Sequence, residues 1–192
     1  RLANLPIDYD SITQAGAMMG SGGLVVLDEG DCMVEIACYF LEFTQRQSCG
    51  RCTFCRVGTK RMLEILQGIC QGRGRPQDLN KLEHLGHLIQ AGSLCGLGST
   101  APNPVLSTLR YFRDEYEAHL EGRCPAGRCR ALIDYVITDR CIGCTRCAQH
   151  CPAGAIEMQP YQQHQIDRNK CIRCGTCKSV CPADAVRVES KG

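Results

Sequence analysis

Two matching cysteine runs stand in the last third of the chain: CIGCTRCAQHCP at Cys141–Pro152 and CIRCGTCKSVCP at Cys171–Pro182. In each run three cysteines follow one another at every third position. A fourth cysteine comes four positions later, directly before a proline. The runs are thirty residues apart, and Ile142 of the first recurs as Ile172 of the second. This stretch is therefore an internal duplication.

The C-x2-C-x2-C-x3-C-P spacing is the ligand run of bacterial ferredoxins, in which the fourth cysteine binds the neighbouring cluster. We therefore predict two [4Fe–4S] clusters with interleaved ligands. The first set is Cys141, Cys144, Cys147 and Cys181, and the second is Cys171, Cys174, Cys177 and Cys151. A zinc ribbon is the alternative, but it uses two C-x2-C pairs rather than two four-cysteine runs closed by proline.

The composition favours metal binding in a reducing compartment. The chain has 192 residues, 17 cysteines and a net charge of +2. The odd cysteine count and the ligand-like spacings argue against a disulfide scaffold, so we expect a cytoplasmic protein. The small net charge gives no electrostatic case for nucleic acid. The longest uncharged run, residues 11–27, is interrupted by glycines and polar residues, so no transmembrane segment is expected.

Apolar periodicity predicts four helices in the middle of the chain. The predicted spans are Asp31 (as N-cap) to Gln45, Cys55 to Gly72, Pro76 to Gly92, and Asn103 (as N-cap) to Gly122. Short connections between them favour a bundle, and apolar residues nearly all round the first helix predict that it is buried. Before the bundle we predict a short helix from Asp10 to Met18 and a buried strand at Leu24–Leu27.

One loop of the bundle carries a further cluster motif. Cys49, Cys52 and Cys55 again lie at every third position, so they predict three ligands of a third [4Fe–4S] cluster. The candidates for its fourth ligand are Cys32, Cys38, Cys70 and Cys95. We choose Cys95, because its glycine-rich loop lets the backbone approach the cluster. Cys32 and Cys70 are interpreted as small buried core residues.

The segment after the bundle predicts a zinc site. His119, Cys124 and Cys129 fall within eleven residues and supply three corners of a tetrahedron. The proposed fourth ligand is Cys38, on the first helix. Such a closed site would be structural and would fix the last domain to the bundle.

Two motifs of the bundle resemble a known family. Ser48-Cys49-Gly50-x-Cys52-x-x-Cys55-Arg56-x-Gly58, followed by Gly92–Gly98, is similar to the C-terminal half of the NADH-binding flavoprotein subunit of respiratory complex I. Gln47 and Phe54 depart from that family's usual glutamate and proline. The resemblance supports the ligand set Cys49, Cys52, Cys55 and Cys95. It also implies that residues 1–30 are the tail of a β-grasp domain, and that FMN and NAD(P) bind to a part not present in this sequence.

The continuation into a ferredoxin domain is similar to the β subunits of NAD(P)-linked and electron-bifurcating iron hydrogenases and of NAD-dependent formate dehydrogenases. This resemblance supports the zinc site. It implies as partners a thioredoxin-like [2Fe–2S] subunit, a catalytic hydrogenase or formate dehydrogenase subunit, and free ferredoxin.

The resulting prediction is an α+β protein. It has a β-grasp remnant (1–30), an iron–sulfur four-helix bundle (31–122), a zinc-binding hinge (123–137) and a double-[4Fe–4S] ferredoxin-like domain (138–192). No acid–base or nucleophile constellation is visible, so no catalytic residue is predicted. The expected function is to relay single electrons within an NAD(P)-linked oxidoreductase. The alternatives are a stand-alone ferredoxin-type carrier with a helical docking module, and a structural zinc protein.

Overall fold

The computed structural model describes residues 4–20 and 22–191, and before residue 31 the described residues form a single short helix. Helix α1 (Tyr9–Gln14) follows Asp8, whose carboxylate accepts a hydrogen bond from the Ser11 N–H at 2.8 Å. The predicted start at Asp10 and end at Met18 are therefore wrong. The chain turns at Gly16, with φ +87. Residues 1–3, 21 and 192 fall in the predicted domains 1–30 and 138–192 and lie outside the described residues.

The predicted buried strand at Leu24–Leu27 is also wrong. These residues form no strand, and the exposed fraction of their side chains runs from 37% at Leu27 to 84% at Val26. A strand needs a neighbour to satisfy its backbone N–H and C=O groups. No partner strand for this stretch occurs among the residues that the structure describes.

Residues 31–122 are helical, as their apolar periodicity predicts. The elements are α2 (Met33–Arg46), a π-helical turn (Phe54–Gly58), α3 (Thr59–Cys70), α4 (Gln77–Gly92), α5 (Gly96–Thr100), α6 (Asn103–Tyr111) and α7 (Arg113–Leu120). Helix α2 packs against α3 and α6, and α4 packs against α6. Fully buried side chains fill the space between them, among them Leu41, Leu66, Leu82, Leu109 and Tyr116. Within the described residues no helix is both long and apolar enough to span a bilayer.

Four details of the predicted bundle are wrong. The fourth helix is broken at Phe112 (φ −132°, ψ 38°), so α6 and α7 replace one continuous helix. Asn103 does not cap α6, because its side-chain oxygen accepts a hydrogen bond from Gln90 of α4 at 2.9 Å. Helix α2 is not buried all round, since Tyr39 and Phe43 are largely exposed. Its N-cap is Cys32 rather than Asp31.

The last sixty residues surround a small antiparallel sheet. Strand β1 (Ile133–Ile137) pairs with β2 (Val186–Ser190), and Tyr135 lies opposite Val188. Between them lie the short helices α8 (Arg146–Gln149) and α9 (Thr176–Ser179). A single antiparallel bridge, Ile156↔Ile166, joins two further stretches between these helices. Strand β1 begins inside the segment predicted as the hinge.

The duplication seen in the sequence recurs in the backbone. Left-handed residues occur in pairs thirty positions apart: Gly143 with Arg173, Thr145 with Gly175, and Gly154 with Asp184. Helices α8 and α9 are related by the same offset. Positive φ is unusual for residues other than glycine, so its recurrence at the same places shows that each half follows the same path around its cysteines.

We predict that Gly143→Ala lowers the thermal unfolding midpoint of this region more than Gly154→Ala. Both glycines have positive φ, so each substitution costs about 1–2 kcal/mol of left-handed strain. Only at Gly143 would the new Cβ approach backbone, lying 2.6 Å from Tyr161 C, whereas nothing lies within 4 Å at Gly154. Circular dichroism melts of the two variants measure the difference. Equal midpoints would show that the close approach is not essential.

Candidate metal and cluster sites

A compact group of ligand-type side chains joins the start of the bundle to its end. Among the described residues, Cys32, His119, Cys124 and Cys129 are buried and place one potential ligand atom each within 4.8 Å of the others. His119 Nε2 lies 3.3 Å from both Cys32 Sγ and Cys129 Sγ. Three thiols and one imidazole are a donor set of structural zinc sites, so these residues fit the metal that the sequence predicts.

Local structure holds each of these ligands. Cys32 is the N-cap of α2, where its sulfur accepts a hydrogen bond from the Glu35 N–H at 3.5 Å. The Cys124 sulfur accepts hydrogen bonds from the N–H groups of Arg128 and Cys129 at 3.3 and 3.4 Å. On α7, His119 Nδ1 lies 2.6 Å from the Glu115 carbonyl oxygen. That carbonyl can only accept, so Nδ1 carries a proton and Nε2 faces the sulfurs, which is the arrangement typical of metal-bound histidine.

The structure brings Cys32, rather than the predicted Cys38, to this group. Cys32 lies where α2 begins, beside the end of α7. Cys38 lies more than one turn further along α2, near Glu42 and Glu35. Burial and these carboxylates raise the pKa of the Cys38 thiol to about 11. The sequence alone contains no signal that selects Cys32, because the end of α2 that lies beside His119 is determined by the packing of residues distant in the chain.

The electrostatics of the group suit a cation. Hydrogen bonds with Cys129 and Cys32 lower the pKa of the Cys124 thiol. Burial opposes the charging of His119, but the Cys124 and Cys32 thiols together raise its pKa to about 10. A bound metal ion would displace the imidazole proton, since metal ligands must be deprotonated.

In the last domain, the fourth cysteine of the first run lies with the second run. A small cavity is lined by Cys151, Cys171, Cys174 and Cys177, together with Tyr135, Ile156 and Ile166. Burial, followed by the charge of neighbouring Cys171, raises the pKa of the Cys177 thiol to about 11. Cys147 similarly lies near Cys141 and Cys144.

Backbone hydrogen bonds to sulfur repeat in both halves of this domain. The Ala155 N–H donates to Cys151 Sγ at 3.3 Å, and the Ala185 N–H donates to Cys181 Sγ at the same distance. These bonds arise because Gly154 and Asp184, both left-handed, turn the following N–H back towards the sulfur. Cys141, Cys147 and Cys181 pack in one apolar cluster of this domain, which also contains Cys151 and Cys177.

In the bundle, the predicted cluster loop packs against the glycine-rich loop of Cys95. Cys55 is buried in the π-helical turn before α3, and such turns are frequent at functional sites. The N–H of Leu94, followed by that of Cys55, lowers the pKa of the Cys52 thiol. A Cβ added to Gly98 would lie 2.7 Å from Ser93 Oγ and 3.2 Å from Cys55 Cβ, so only glycine allows this approach.

Two serines lie beside these cysteines. Ser48 Oγ is 3.3 Å from Cys55 Sγ. Ser93 Oγ is buried and has no hydrogen-bond partner among the described residues. An unsatisfied buried hydroxyl costs about 1–3 kcal/mol, so its place next to Cys52 and Cys55 fits a bound group with acceptor sulfur atoms.

Two family models match the regions that contain the predicted cluster cysteines. Residues 35–119 match the NADH-ubiquinone oxidoreductase-F iron-sulfur binding region, and residues 131–188 match a 4Fe-4S dicluster domain. The chain is 47% identical over 163 residues to NADP-reducing hydrogenase subunit HndC of Solidesulfovibrio fructosivorans, which covers 84% of this chain and 33% of the relative. It is 42% identical over 123 residues to the F subunit of NADH-quinone oxidoreductase in Streptomyces coelicolor, covering 64% of this chain and 27% of the relative.

Among solved structures, the crystal structure of an NAD+-reducing [NiFe]-hydrogenase in the H2-reduced state is similar. The TM-score is 0.51 with 34% sequence identity, over 55% of this chain and 18% of that chain. The present chain thus spans about a third or less of the length of the relatives it matches. It belongs with these subunits of hydrogenases and NADH-quinone oxidoreductases as a homologue of their iron–sulfur part.

Proposed function

We propose that this chain is the electron-relay part of an NAD(P)H-linked, flavin-containing oxidoreductase with several subunits, of the hydrogenase or formate dehydrogenase type. The observation that carries the proposal is the cavity in which Cys151 joins Cys171, Cys174 and Cys177. Sharing a cysteine between the two runs is the arrangement of two-cluster ferredoxins, which move electrons one at a time. The hydrogenase and oxidoreductase relatives support the same role.

Three [4Fe–4S] clusters are proposed. The ferredoxin domain would hold one on Cys141, Cys144, Cys147 and Cys181, and a second on Cys171, Cys174, Cys177 and Cys151. The bundle would hold a third on Cys49, Cys52, Cys55 and Cys95. The buried Ser93 hydroxyl and the Leu94 N–H, which interacts with the Cys52 thiol, support this site. Each cluster, when bound, accepts and releases one electron.

The chain's own residues would space the clusters and tune them. Backbone N–H groups such as those of Ala155 and Ala185 donate to cysteine sulfur, and such bonds set reduction potentials. Apolar residues, among them Ile156 and Val186, keep water from the same sulfurs. No acid–base step is proposed for any residue of this chain.

We further propose a structural zinc ion on Cys32, His119, Cys124 and Cys129. The ligands are buried and come from the start of α2, the end of α7 and the loop before β1. Binding of zinc to such sites contributes directly to folding free energy. The ion would therefore fix the ferredoxin domain to the bundle.

FMN, NAD(P) and the partner subunits are proposed from the relatives, since the chain matches only part of their length. The partners would be a thioredoxin-like [2Fe–2S] subunit and a catalytic subunit, with free ferredoxin as a further electron partner. The competing function is a stand-alone carrier. Co-purification of the native protein under anaerobic conditions tests this choice, because a stand-alone carrier would elute without flavin and without other subunits.

We predict about 12 iron and about 12 sulfide per chain after anaerobic purification, for three cubane clusters. Cys95→Ala should reduce iron to about 8, because the bundle cluster loses a ligand. Cys70→Ala is the matched control and should keep about 12, since Cys70 lies at the far end of α3 from the cluster loop. Iron and sulfide assays measure both. Full iron in Cys95→Ala would exclude Cys95 as the fourth ligand.

We also predict that Cys32→Ser purifies without zinc, whereas Cys38→Ser keeps about one zinc per chain. The two cysteines lie at the start and within the first turns of α2, but only Cys32 joins His119 and the hinge thiols. Loss of zinc should also lower the thermal unfolding midpoint, because the remaining buried ligands His119, Cys124 and Cys129 then lack the cation that compensates their burial. Elemental mass spectrometry measures the zinc content of both variants. Zinc kept by Cys32→Ser and lost from Cys38→Ser would restore the assignment made from the sequence.

A further inference from the structure

His164 is a buried histidine with no role in the sites described above. Its side chain is 2% exposed, and it lies in the loop between Ile156 and Ile166 that separates the two cysteine runs. A buried imidazole is costly unless both ring nitrogens have partners. The partners of His164 are the Gln159 backbone and Cys141.

Its hydrogen bonds determine which ring nitrogen carries the proton. The Gln159 N–H donates to His164 Nε2 at 3.5 Å, so Nε2 acts as an acceptor and has no proton. In a neutral imidazole the proton is then on Nδ1. His164 Nδ1 lies 3.8 Å from Cys141 Sγ. The N–H of His164 is therefore directed at a sulfur proposed to bind the first ferredoxin cluster.

This contact breaks the symmetry of the duplication. The backbone hydrogen bonds to Cys151 and Cys181 occur in both halves, but the loop of His164 occurs only after the first run. The second run leads directly into β2. Among residues 4–20 and 22–191, no histidine makes the equivalent contact to Cys171. The other histidine of the domain, His150, is exposed and bonds to the Arg146 carbonyl at 2.9 Å.

We propose that His164 is a positioning residue that donates a hydrogen bond to the Cys141 thiolate. This bond raises the reduction potential of the first ferredoxin cluster, which Cys141 binds, above that of the second ferredoxin cluster. This inference rests on the proposed function, because it needs both ferredoxin clusters. A hydrogen bond to cluster sulfur favours the reduced form, which carries one more negative charge. Reduction adds one electron from the preceding redox partner, and His164 keeps its proton throughout.

The test is a redox titration, followed by electron paramagnetic resonance, of the whole protein purified anaerobically. His164→Leu removes the donor and should lower the potential of one ferredoxin cluster only. The expected change is about tenfold in the equilibrium constant for reduction, or about 59 mV for one electron. His164→Asn keeps an N–H near the position of Nδ1 and should restore most of the loss. His150→Leu is the matched control and should leave both potentials unchanged.

Several outcomes separate this inference from the function on which it rests. If all variants carry full iron and both potentials stay the same, His164 has no tuning role, while the relay stands. If the wild-type protein lacks the roughly eight irons of the ferredoxin domain, the relay itself is excluded.

A second measurement applies if His164→Leu loses iron. Pulsed electron paramagnetic resonance on the reduced wild-type protein, labelled with ¹⁵N only at histidine, reports whether a histidine nitrogen is coupled to a ferredoxin cluster. A ¹⁵N coupling that persists in His150→Leu and disappears in His164→Asn supports the hydrogen bond. Absence of a histidine coupling in the wild type overturns it.

Discussion

The meeting of Cys32, His119, Cys124 and Cys129 determines how the two halves of this molecule are joined. Three thiols and an imidazole are buried within 4.8 Å of one another, between the start of α2 and the loop that leads into β1. Such groups are costly in an apolar interior unless a cation or hydrogen bonds compensate. The group lies where the chain passes from the bundle to β1, next to Leu132 and Ile133, which pack into the bundle's apolar core. The nearby N–H groups of Arg128 and Cys129 supply part of that compensation through Cys124.

The sequence could predict what depends on local spacing. Cysteines at every third position, a proline after the fourth and a thirty-residue offset are local patterns, and the backbone repeats them in its left-handed residues. Helices with regular apolar periodicity, such as α3 and α4, were also predicted near their observed bounds. In each of these cases the residues that determine the structure are close in the chain.

The predictions that were wrong depend on contacts between distant residues. Choosing Cys32 over Cys38 required knowing which end of α2 lies beside His119, which is 87 positions from Cys32. Asn103 is a good N-cap by type, yet it bonds to Gln90 on another helix. The apolar residues Leu24–Leu27 have strand character, but strand formation depends on a partner that the described residues do not provide. Spacing alone carries no information about such long-range pairings.

The shared cavity of Cys151 with the second run bears on the order of events during synthesis. The first run leaves the ribosome before the second run, whose cysteines share a cavity with Cys151. Under the proposed ligand sets, a half-made domain would offer three thiols at one site and one at the other. Insertion of iron and sulfide would then wait until both runs have emerged, so both halves of the domain would mature together.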